Sequence, residues 1–181
     1  LLRQHGMSVP DSTRHTSDRV TFETYDRLGY NYRLTDIQAA VGREQLRRLP
    51  AILARRRFLA DRYRTLLAGI PGLRLPHEPD WARSNWQSFC VRLPEGSDQR
   101  RVMQFLLDRG VGTRRGVMCA HLEPAYAGDA RSGDAAVASQ SLKESERVRD
   151  QCVLLPLYPQ LTEEEQDYVS ETLRQALASV R

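Results

Sequence analysis

The chain has 181 residues, of which 40% are hydrophobic and 28% charged, a balance typical of a globular protein and not of a disordered one. No apolar run approaches the roughly 18 residues that a bilayer-spanning helix requires, and residues 1–7 lack the pattern of an export signal. The net charge of +4 comes almost wholly from arginine, because Lys143 is the only lysine.

Residues 1–35 are predicted to be largely irregular. Residues 1–6 have the pattern of a helix end, with Gly6 placed to terminate the helix. Residues 7–28 are rich in serine, threonine and aspartate. We expect them to form an extended connection that includes a short strand near residues 20–25.

A long helix is predicted to begin at a capping box formed by Thr35 and Gln38. Beyond it, apolar residues keep helical spacing along one stripe. The stripe consists of Ile37, Val41, Leu46, Leu49, Ile52, Leu53, Leu59, Tyr63 and Leu66. Because a proline removes a backbone donor and clashes with the preceding turn, we expect a kink or a break at Pro50, where a second helix starts that ends at Gly69.

The rest of the chain predicts a small α+β domain. Strands are predicted over residues 86–93, 111–119 and 152–157, with a shorter one near 73–75. Helices are predicted from Asp98 to Gly110, over 142–149, and from a second capping box at Thr162 and Glu165 onward. Residues 128–141 are expected to be a mobile loop. This order predicts helices over one face of a small, largely antiparallel sheet.

Side-chain spacing predicts which residues of this domain face inward. The strand over 86–93 alternates, with one face formed by Gln87, Phe89, Val91 and Leu93 and the other by Trp86, Ser88, Cys90 and Arg92. In the last helix, the residues expected to face inward are Val169, Leu173, Ala176 and Val180.

The three cysteines are odd in number and widely spaced. Cys90, Cys119 and Cys152 form no C-x-x-C arrangement, which argues against a disulfide framework and against a zinc site. We therefore expect reduced thiols in a cytoplasmic protein without a bound metal.

A run of three arginines, residues 55–57, raises the alternative of a nucleic-acid-binding protein. No aromatic residue interleaves with the run, and the run lies on the amphipathic helix. A solvated helix face or a dimer surface is the favoured interpretation, and no nucleic-acid partner is expected.

Other polar residues suit small anionic ligands. Arg114 and Arg115 at a strand could clamp a phosphate or carboxylate, or could be plain surface charge. His121 follows this strand and could be a proton shuttle, a substrate contact or a structural residue. No nucleophile with its base and no glycine-rich phosphate loop is evident.

The loop before the long helix is dense in hydrogen-bonding side chains. It carries Tyr30, Asn31, Tyr32 and Arg33, and it leads directly into the capped helix start at Thr35. A helix N-terminus beside an asparagine and an arginine is suited to holding an anion such as a phosphate. The alternative is a capped helix start that binds nothing.

Several short segments of the chain together match a known protein family. The longest is residues 29–42, GYNYRLTDIQAAVG, followed by Gln45, Leu46, Leu49, Arg56, Arg57 and Tyr63. Further matching segments are residues 3–6 (RQHG), 110–113 (GVGT), 121–126 (HLEPAY) and 155–159 (LPLYP). In these segments, and in their order over nearly the whole chain, the sequence resembles the DegT/DnrJ/EryC1/StrS family of sugar aminotransferases.

The resemblance implies the aspartate aminotransferase architecture, fold type I. Residues 1–35 would be the end of the large cofactor-binding domain with an interface loop, residues 36–69 a connecting helix, and residues 70–181 the small C-terminal α+β domain. It also implies a pyridoxal 5'-phosphate enzyme that moves an amino group from an amino acid donor, usually glutamate, onto a keto sugar carried on a nucleotide.

The resemblance further implies roles for individual residues in a homodimer. Asn31 would reach the phosphate of the cofactor held by the other subunit. Tyr30, Arg33, Arg114 and His121 would contact the sugar nucleotide or shape its site.

One departure from the family concerns the lysine that forms a Schiff base with the cofactor. Lys143 lies far downstream of the position of the family's lysine and is expected to be a surface helix residue. We therefore assign no catalytic residue in this chain and expect a C-terminal fragment that is inactive alone. The alternative is a non-catalytic dimerisation or regulatory module of the same fold.

Overall fold

A computed structural model describes residues 2–10, 13, 16–20, 22–123 and 142–179 of the chain. The chain divides into two compact units, Leu1–Pro50 and Ala51–Arg181, called the N-terminal and C-terminal units below. The domain boundaries expected at residues 35 and 69 remain a prediction. The loop expected at 128–141 lies outside the described residues.

The start of the N-terminal unit is not a helix end, so that prediction is wrong. Gln4 instead forms an isolated antiparallel bridge with Asn31, and Met7 forms one with Tyr25. The backbone has positive φ at His5 (58°) and Gly6 (78°), which turns the chain between the two bridges. The strand expected near residues 20–25 is reduced to the bridge at Tyr25.

Helix α1 spans Asp36–Leu67 and begins at the predicted capping box. Gln38 N donates to Thr35 Oγ1 at 3.2 Å, and Thr35 N donates to Gln38 Oε1 at 3.0 Å. The predicted break at Pro50 is wrong, because the helix continues through this proline. A proline takes one hydrogen bond from a helix, and a helix of 32 residues retains many others.

The C-terminal unit contains a three-stranded antiparallel sheet, which confirms the predicted plan. Its strands are β1 (Phe89–Arg92), β2 (Arg114–Arg115) and β3 (Cys152–Leu155), in the order β1-β3-β2. Arg74 forms an isolated bridge with Arg92, with two backbone hydrogen bonds of 2.9 Å, where a short strand was expected. The strand predicted over 111–119 is limited to β2.

The remaining α-helices agree with the predicted order. They are α2 (Gln99–Leu107), α3 (Lys143–Gln151) and α4 (Glu163–Ser179). A 3₁₀ turn at Ala120–Leu122 was not predicted. Asp98 caps α2 by accepting from Arg101 N at 3.0 Å. Thr162 and Glu165 exchange the two hydrogen bonds of the second capping box before α4, at 2.9 and 3.1 Å.

The core of the C-terminal unit lies between one face of the sheet and the helices. The sheet contributes Phe89, Val91, Val153 and Leu155, and Leu93 follows directly after β1, all of them buried. The helices contribute Leu59, Tyr63 and Leu67 of α1, Val102 and Leu106 of α2, and Val169, Leu173 and Ala176 of α4. The inward face predicted for α4 is confirmed at these three residues, whereas Val180 lies outside the described residues.

Trp86 departs from the predicted alternation. It precedes β1, has a positive φ of 48°, and is 6% exposed. Its ring lies 5.8 Å from that of Phe89, a residue predicted to face the opposite way. The left-handed backbone explains the difference, because alternation holds only in extended chain.

Within the described residues, no helix combines the length and the apolar character that crossing a bilayer requires.

Candidate functional site

The loop at Tyr30–Arg33 is fixed by a close crossing of two glycines. A Cβ atom added to Gly29 would lie 2.1 Å from Gly6 N, and one added to Gly6 would lie 2.0 Å from Arg27 O. Both contacts are with backbone atoms, which side-chain movement cannot relieve. Glycine is therefore required at both positions, which explains the glycines of the RQHG and GYNYR segments in physical terms.

Backbone hydrogen bonds hold this loop against residues 2–5. Tyr30 N donates to Leu2 O at 2.7 Å, and Tyr32 N donates to Arg3 O at 3.0 Å. His5 N donates to Tyr30 O at 3.0 Å. The backbone on both sides of Asn31 is thus fixed by the RQHG segment.

The side chains of the loop separate into two sets. The rings of Tyr30 and Tyr32 stack, with centroids 5.2 Å apart and planes 12° from parallel. Because residues two apart share a side of an extended chain, Asn31 and Arg33 belong to the opposite side. All four side chains are exposed. The three candidates Tyr30, Asn31 and Arg33 therefore lie together in one loop.

This loop has donors that suit a phosphate. The Asn31 amide and the Arg33 guanidinium both donate hydrogen bonds to phosphate oxygens in proteins, and the α1 N-terminus adds a positive dipole end. Thr35 Oγ1 already accepts from Gln38 N, and the carboxylate of Asp36 lies in the first turn, which weakens that end for a second anion. The loop residues therefore fit the phosphate of pyridoxal phosphate better than the helix amides do.

The other two candidates lie in the C-terminal unit. Arg114 is exposed on β2, opposite Leu154 of β3. The neighbouring Arg115 is ion-paired with Asp150, with Nη2 and Oδ1 2.6 Å apart. Since neighbouring strand residues face opposite ways, the two arginines do not form one clamp. Arg114 alone remains a candidate ligand-binding residue.

Asp150 links two arginines. Arg149 donates to Asp150 from Nε at 2.8 Å and from Nη2 at 2.9 Å, in addition to the Arg115 contact. These hydrogen bonds, that of Arg149 first, lower the pKa of Asp150 to about 2. This ion cluster fixes the end of α3 to β2.

His121, in the 3₁₀ turn, is paired with Glu146 of α3. The His121 Nε2 and Glu146 Oε1 atoms lie 3.0 Å apart, and the His121 side chain is 12% exposed. The hydrogen bond from His121 lowers the pKa of Glu146 below its ordinary value. Sequence reasoning identified His121 but missed Glu146, because 25 residues separate them. Tyr126, in the same matching segment, lies outside the described residues.

The arginine run at residues 55–57 has a structural role, contrary to the favoured interpretation as a solvated or dimer surface. All three side chains are half-buried. Arg55 Nη2 donates to Leu161 O at 2.7 Å. Arg56 and Arg57 donate to the carbonyls of residues 86 and 84 at 3.3 and 3.2 Å. The run thus holds two loops of the C-terminal unit.

Cys90, Cys119 and Cys152 are all unpaired. Burial raises the pKa of the Cys90 thiol to about 12, which disfavours the reactive thiolate. In the part of the chain that the structure describes, no cluster of three or more His, Cys, Asp or Glu residues could hold a metal ion.

Lys143 is the first residue of α3 and is exposed, which confirms its expected place on a helix surface. A lysine that binds this cofactor covalently is usually desolvated or placed beside a second cation. The first turn of α3 instead carries Glu144 and Glu146. The described residues therefore include donors for a cofactor phosphate but no suitable lysine.

Comparison with known proteins gives one family and a consistent set of structures. The model of the DegT/DnrJ/EryC1/StrS aminotransferase family matches residues 1–174. The aminotransferase TlmJ from Streptoalloteichus hindustanus is 30% identical, with a TM-score of 0.80 over 98% of this chain and 43% of that chain. DesV from S. venezuelae, solved with a ketimine intermediate, is 30% identical, with a TM-score of 0.78 over 99% of this chain and 43% of that chain.

A third structure agrees in fold. The putative sugar aminotransferase Spr1654 from Streptococcus pneumoniae, in its PMP-form, has a TM-score of 0.82 at 24% identity, over 99% of this chain and 44% of that chain. The chain therefore spans less than half the length of the structures it resembles.

Proposed function

Because the chain belongs to the DegT/DnrJ/EryC1/StrS aminotransferase family, we propose that it forms the C-terminal part of an enzyme that transfers an amino group from an amino acid donor to a nucleotide-linked keto sugar. Its fold is that of the fold type I aminotransferases, as the resemblance implied. Aminotransferases of this family depend on pyridoxal phosphate, and Spr1654 has been solved with the cofactor in its PLP and PMP forms. The three unpaired thiols support a cytoplasmic location as part of the same proposal.

The observation that carries the proposal is the loop around Asn31. Gly6 and Gly29 bring two backbones into contact, and the hydrogen bonds of Tyr30 and Tyr32 fix the chain on either side of Asn31. An exposed asparagine on a backbone held this firmly is prepared to bind a ligand without a large loss of conformational entropy. We assign it the phosphate of the cofactor in the partner subunit of a homodimer.

We also assign contacts with the substrate to four further residues. Tyr30 and Arg33 share the loop with Asn31, whereas Arg114 and His121 lie in the C-terminal unit. Arginine side chains suit the phosphates of a sugar nucleotide, because the guanidinium offers paired donors. Histidine and tyrosine suit the hydroxyl groups of the sugar. When bound, the cofactor supplies the electron sink for amino transfer. The four residues bind and orient the sugar nucleotide that reacts with it.

Replacement of Asn31 tests the phosphate contact. In the whole enzyme, Asn31→Ala removes a hydrogen-bond donor and should weaken cofactor affinity by about ten-fold. Asn31→Asp is nearly isosteric but brings a negative charge toward the phosphate, so its loss should be clearly larger. Equal losses in the two variants, measured by cofactor titration, would show that Asn31 shapes the loop without touching the phosphate.

Mixed dimers test whether Asn31 serves the partner. One subunit carries Asn31→Asp and the other lacks the cofactor-binding lysine of the whole enzyme. If Asn31 acts across the interface, one of the two sites in this dimer is intact. At a cofactor concentration too low to occupy the Asn31→Asp dimer, the isolated mixed dimer should then have up to half of the unaltered activity. If Asn31 serves its own subunit, no site is intact and mixing restores nothing.

The exposed position of the single lysine favours a second function, a non-catalytic dimerisation or regulatory module. The 181-residue chain, mixed with pyridoxal phosphate, should show no absorbance band of a lysine-bound cofactor under either proposal. A band that disappears in Lys143→Ala would contradict our assignment of Lys143. Aminotransferase activity of the whole protein would decide against the regulatory module.

A further inference from the structure

The pairing of His121 with Glu146 fixes the orientation of the imidazole more firmly than a solvent-exposed contact would. The His121 side chain is 12% exposed and that of Glu146 is 30% exposed, so water competes only partly for the contact. Glu146 Oε1 accepts a second hydrogen bond from Leu142 N at 3.1 Å, at the start of α3. The carboxylate is therefore itself held in place by the helix that carries it.

The chemistry of the carboxylate decides which ring nitrogen carries the proton. An ionised carboxylate only accepts hydrogen bonds, and the lowered pKa of Glu146 keeps it ionised at neutral pH. The Nε2 atom at 3.0 Å from Oε1 must therefore donate. In a neutral imidazole, the other nitrogen, Nδ1, is then a hydrogen-bond acceptor.

We propose that Glu146 is a positioning residue that holds His121 as its Nε2–H tautomer and so leaves Nδ1 to accept a hydrogen bond from a hydroxyl group of the sugar substrate. This inference rests on the proposed function for the identity of the ligand. Without Glu146, a neutral histidine populates both tautomers, and the Nδ1–H form repels a hydroxyl that donates. The role matches that of carboxylates that orient histidines elsewhere in proteins.

The tautomer can be measured directly on the full 181-residue chain. The sequence contains only four histidines, so the ring nitrogens of ¹⁵N-labelled protein can be assigned by nuclear magnetic resonance. At a pH where the His121 ring is neutral, we expect its nitrogen chemical shifts to be those of the Nε2–H tautomer. In Glu146→Gln, the amide can either accept from or donate to Nε2, so the two tautomers should mix. An Nδ1–H ring in the unaltered chain, or an unchanged spectrum in the variant, would overturn the inference.

Glu144→Gln is the matched control. It removes the same charge from the same helix, but the Glu144 side chain is 79% exposed and its ion pair is with Arg147. It should leave the His121 spectrum unchanged. If Glu144→Gln changes the His121 spectrum as much as Glu146→Gln does, the tautomer of His121 depends on the charge of α3 and not on the contact with Glu146.

Kinetics of the whole enzyme test the role toward the sugar. Glu146→Gln should raise KM for the sugar substrate by about ten-fold, while kcat changes less than two-fold, as for the loss of one binding contact. In a His121→Ala background, Glu146→Gln should have no further effect, because the carboxylate acts through the ring. Additive losses would overturn the positioning role. Absence of turnover in the unaltered enzyme would overturn the proposed function, whereas the ring spectra would still report on Glu146.

Discussion

At the scale of single residues, the contact between Gly29 and Gly6 is the strictest constraint on the candidate cofactor loop. The side-chain atom that any other residue adds at position 29 would overlap the backbone of Gly6. Such an overlap cannot be relieved by a change of rotamer, so the loop itself must move. The two segments that meet here are far apart in the chain, which ties the shape of the loop to residues 2–6.

Gly29→Ala should therefore destabilise the N-terminal unit by about 1–3 kcal/mol. Hydrogen exchange at the Tyr30 and Tyr32 amides measures this, because both donate to residues 2–3. Gly42→Ala is the control, since Gly42 lies in α1 with nothing within 4 Å of its added Cβ. Alanine there should be neutral or stabilising by up to about 1 kcal/mol. Equal exchange rates in Gly29→Ala and the unaltered chain would contradict the close backbone contact between Gly29 and Gly6.

Asp150 predicts a specific dependence of stability on pH. Its pKa is lowered from the ordinary value of 3.8 to about 2, so its contribution is fully present above pH of about 4 and is lost as the pH falls toward 2. Asp150→Asn should lower the free energy of unfolding at pH 7 by at most about 1 kcal/mol, because the ion pair is half exposed.

The loss caused by Asp150→Asn should shrink as the pH falls from 4 to 2. Urea unfolding curves at pH 7 and pH 3 measure it, with Asp80→Asn, at an exposed loop carboxylate, as the control. A difference between Asp150→Asn and the unaltered chain that stays constant with pH would show that the cluster acts through packing and not through charge.

At the scale of elements, α1 has two functions along its length. Its second half packs into the core of the C-terminal unit through Leu59, Tyr63 and Leu67. The same half carries the three arginines that bind loop carbonyls. A buried or half-buried carbonyl without a donor costs free energy, so these guanidinium groups stabilise loops that have no regular structure of their own.

Arg55→Ala should lower the free energy of unfolding by about 1.5–3 kcal/mol, because it removes charged donors from Leu161 O and Pro159 O. Arg48→Ala, at an exposed position of the same helix, should stay within about 0.5 kcal/mol of the unaltered chain. Chemical denaturation followed by circular dichroism measures both. If the two variants lose equal stability, the contacts of Arg55 are not stabilising.

Local signals in the sequence predicted the elements that local physics determines. Both capping boxes begin helices at the expected residues, and the order of strands and helices in the C-terminal unit was correct. The errors occur where distant residues decide the outcome. Gln4 forms a bridge with Asn31, and β2 is limited to the two residues that pair with Val153 and Leu154 of β3.

In the candidate site, too, local sequence signals identified residues but not their distant partners. The loop around Asn31 was identified from its residue types and its capped helix, but the segment that holds it was not. His121 was identified, whereas its partner Glu146 lies in another element and has no local pattern that marks it. The arginine run was misinterpreted because its acceptors, such as Leu161 O, are 106 residues away.

At the scale of the whole molecule, the described N-terminal unit has much exposed apolar surface. The first half of α1 exposes Ile37, Val41, Leu46 and Leu49, between 41% and 78% of each residue. At helical spacing these four residues spread over about half of the circumference of α1, and soluble monomers seldom expose a wide apolar face of this kind. Of the stripe that the sequence predicted, Leu59 and Tyr63 in the second half of the helix are buried.

We expect the 181-residue chain to self-associate through this face, consistent with the proposed homodimer. The double variant Val41→Glu and Leu46→Glu should shift the chain toward the monomer, because burying two carboxylates in an apolar contact is unfavourable. Sedimentation velocity measures the change. Leu107→Glu, at an exposed position of α2, is the control and should leave association unchanged. A monomeric unaltered chain would contradict this expectation.

The buried position of Trp86 has a consequence for optical measurements. The chain has two tryptophans, and the other, Trp81, is 88% exposed. Both belong to the C-terminal unit, so the emission of Trp86 in a Trp81→Phe variant monitors that unit alone, with a red shift when the indole meets water. The N-terminal unit contains no tryptophan, and it shares the seven tyrosines of the chain with the C-terminal unit. Tryptophan emission therefore reports unfolding of the C-terminal unit with no contribution from the loop around Asn31.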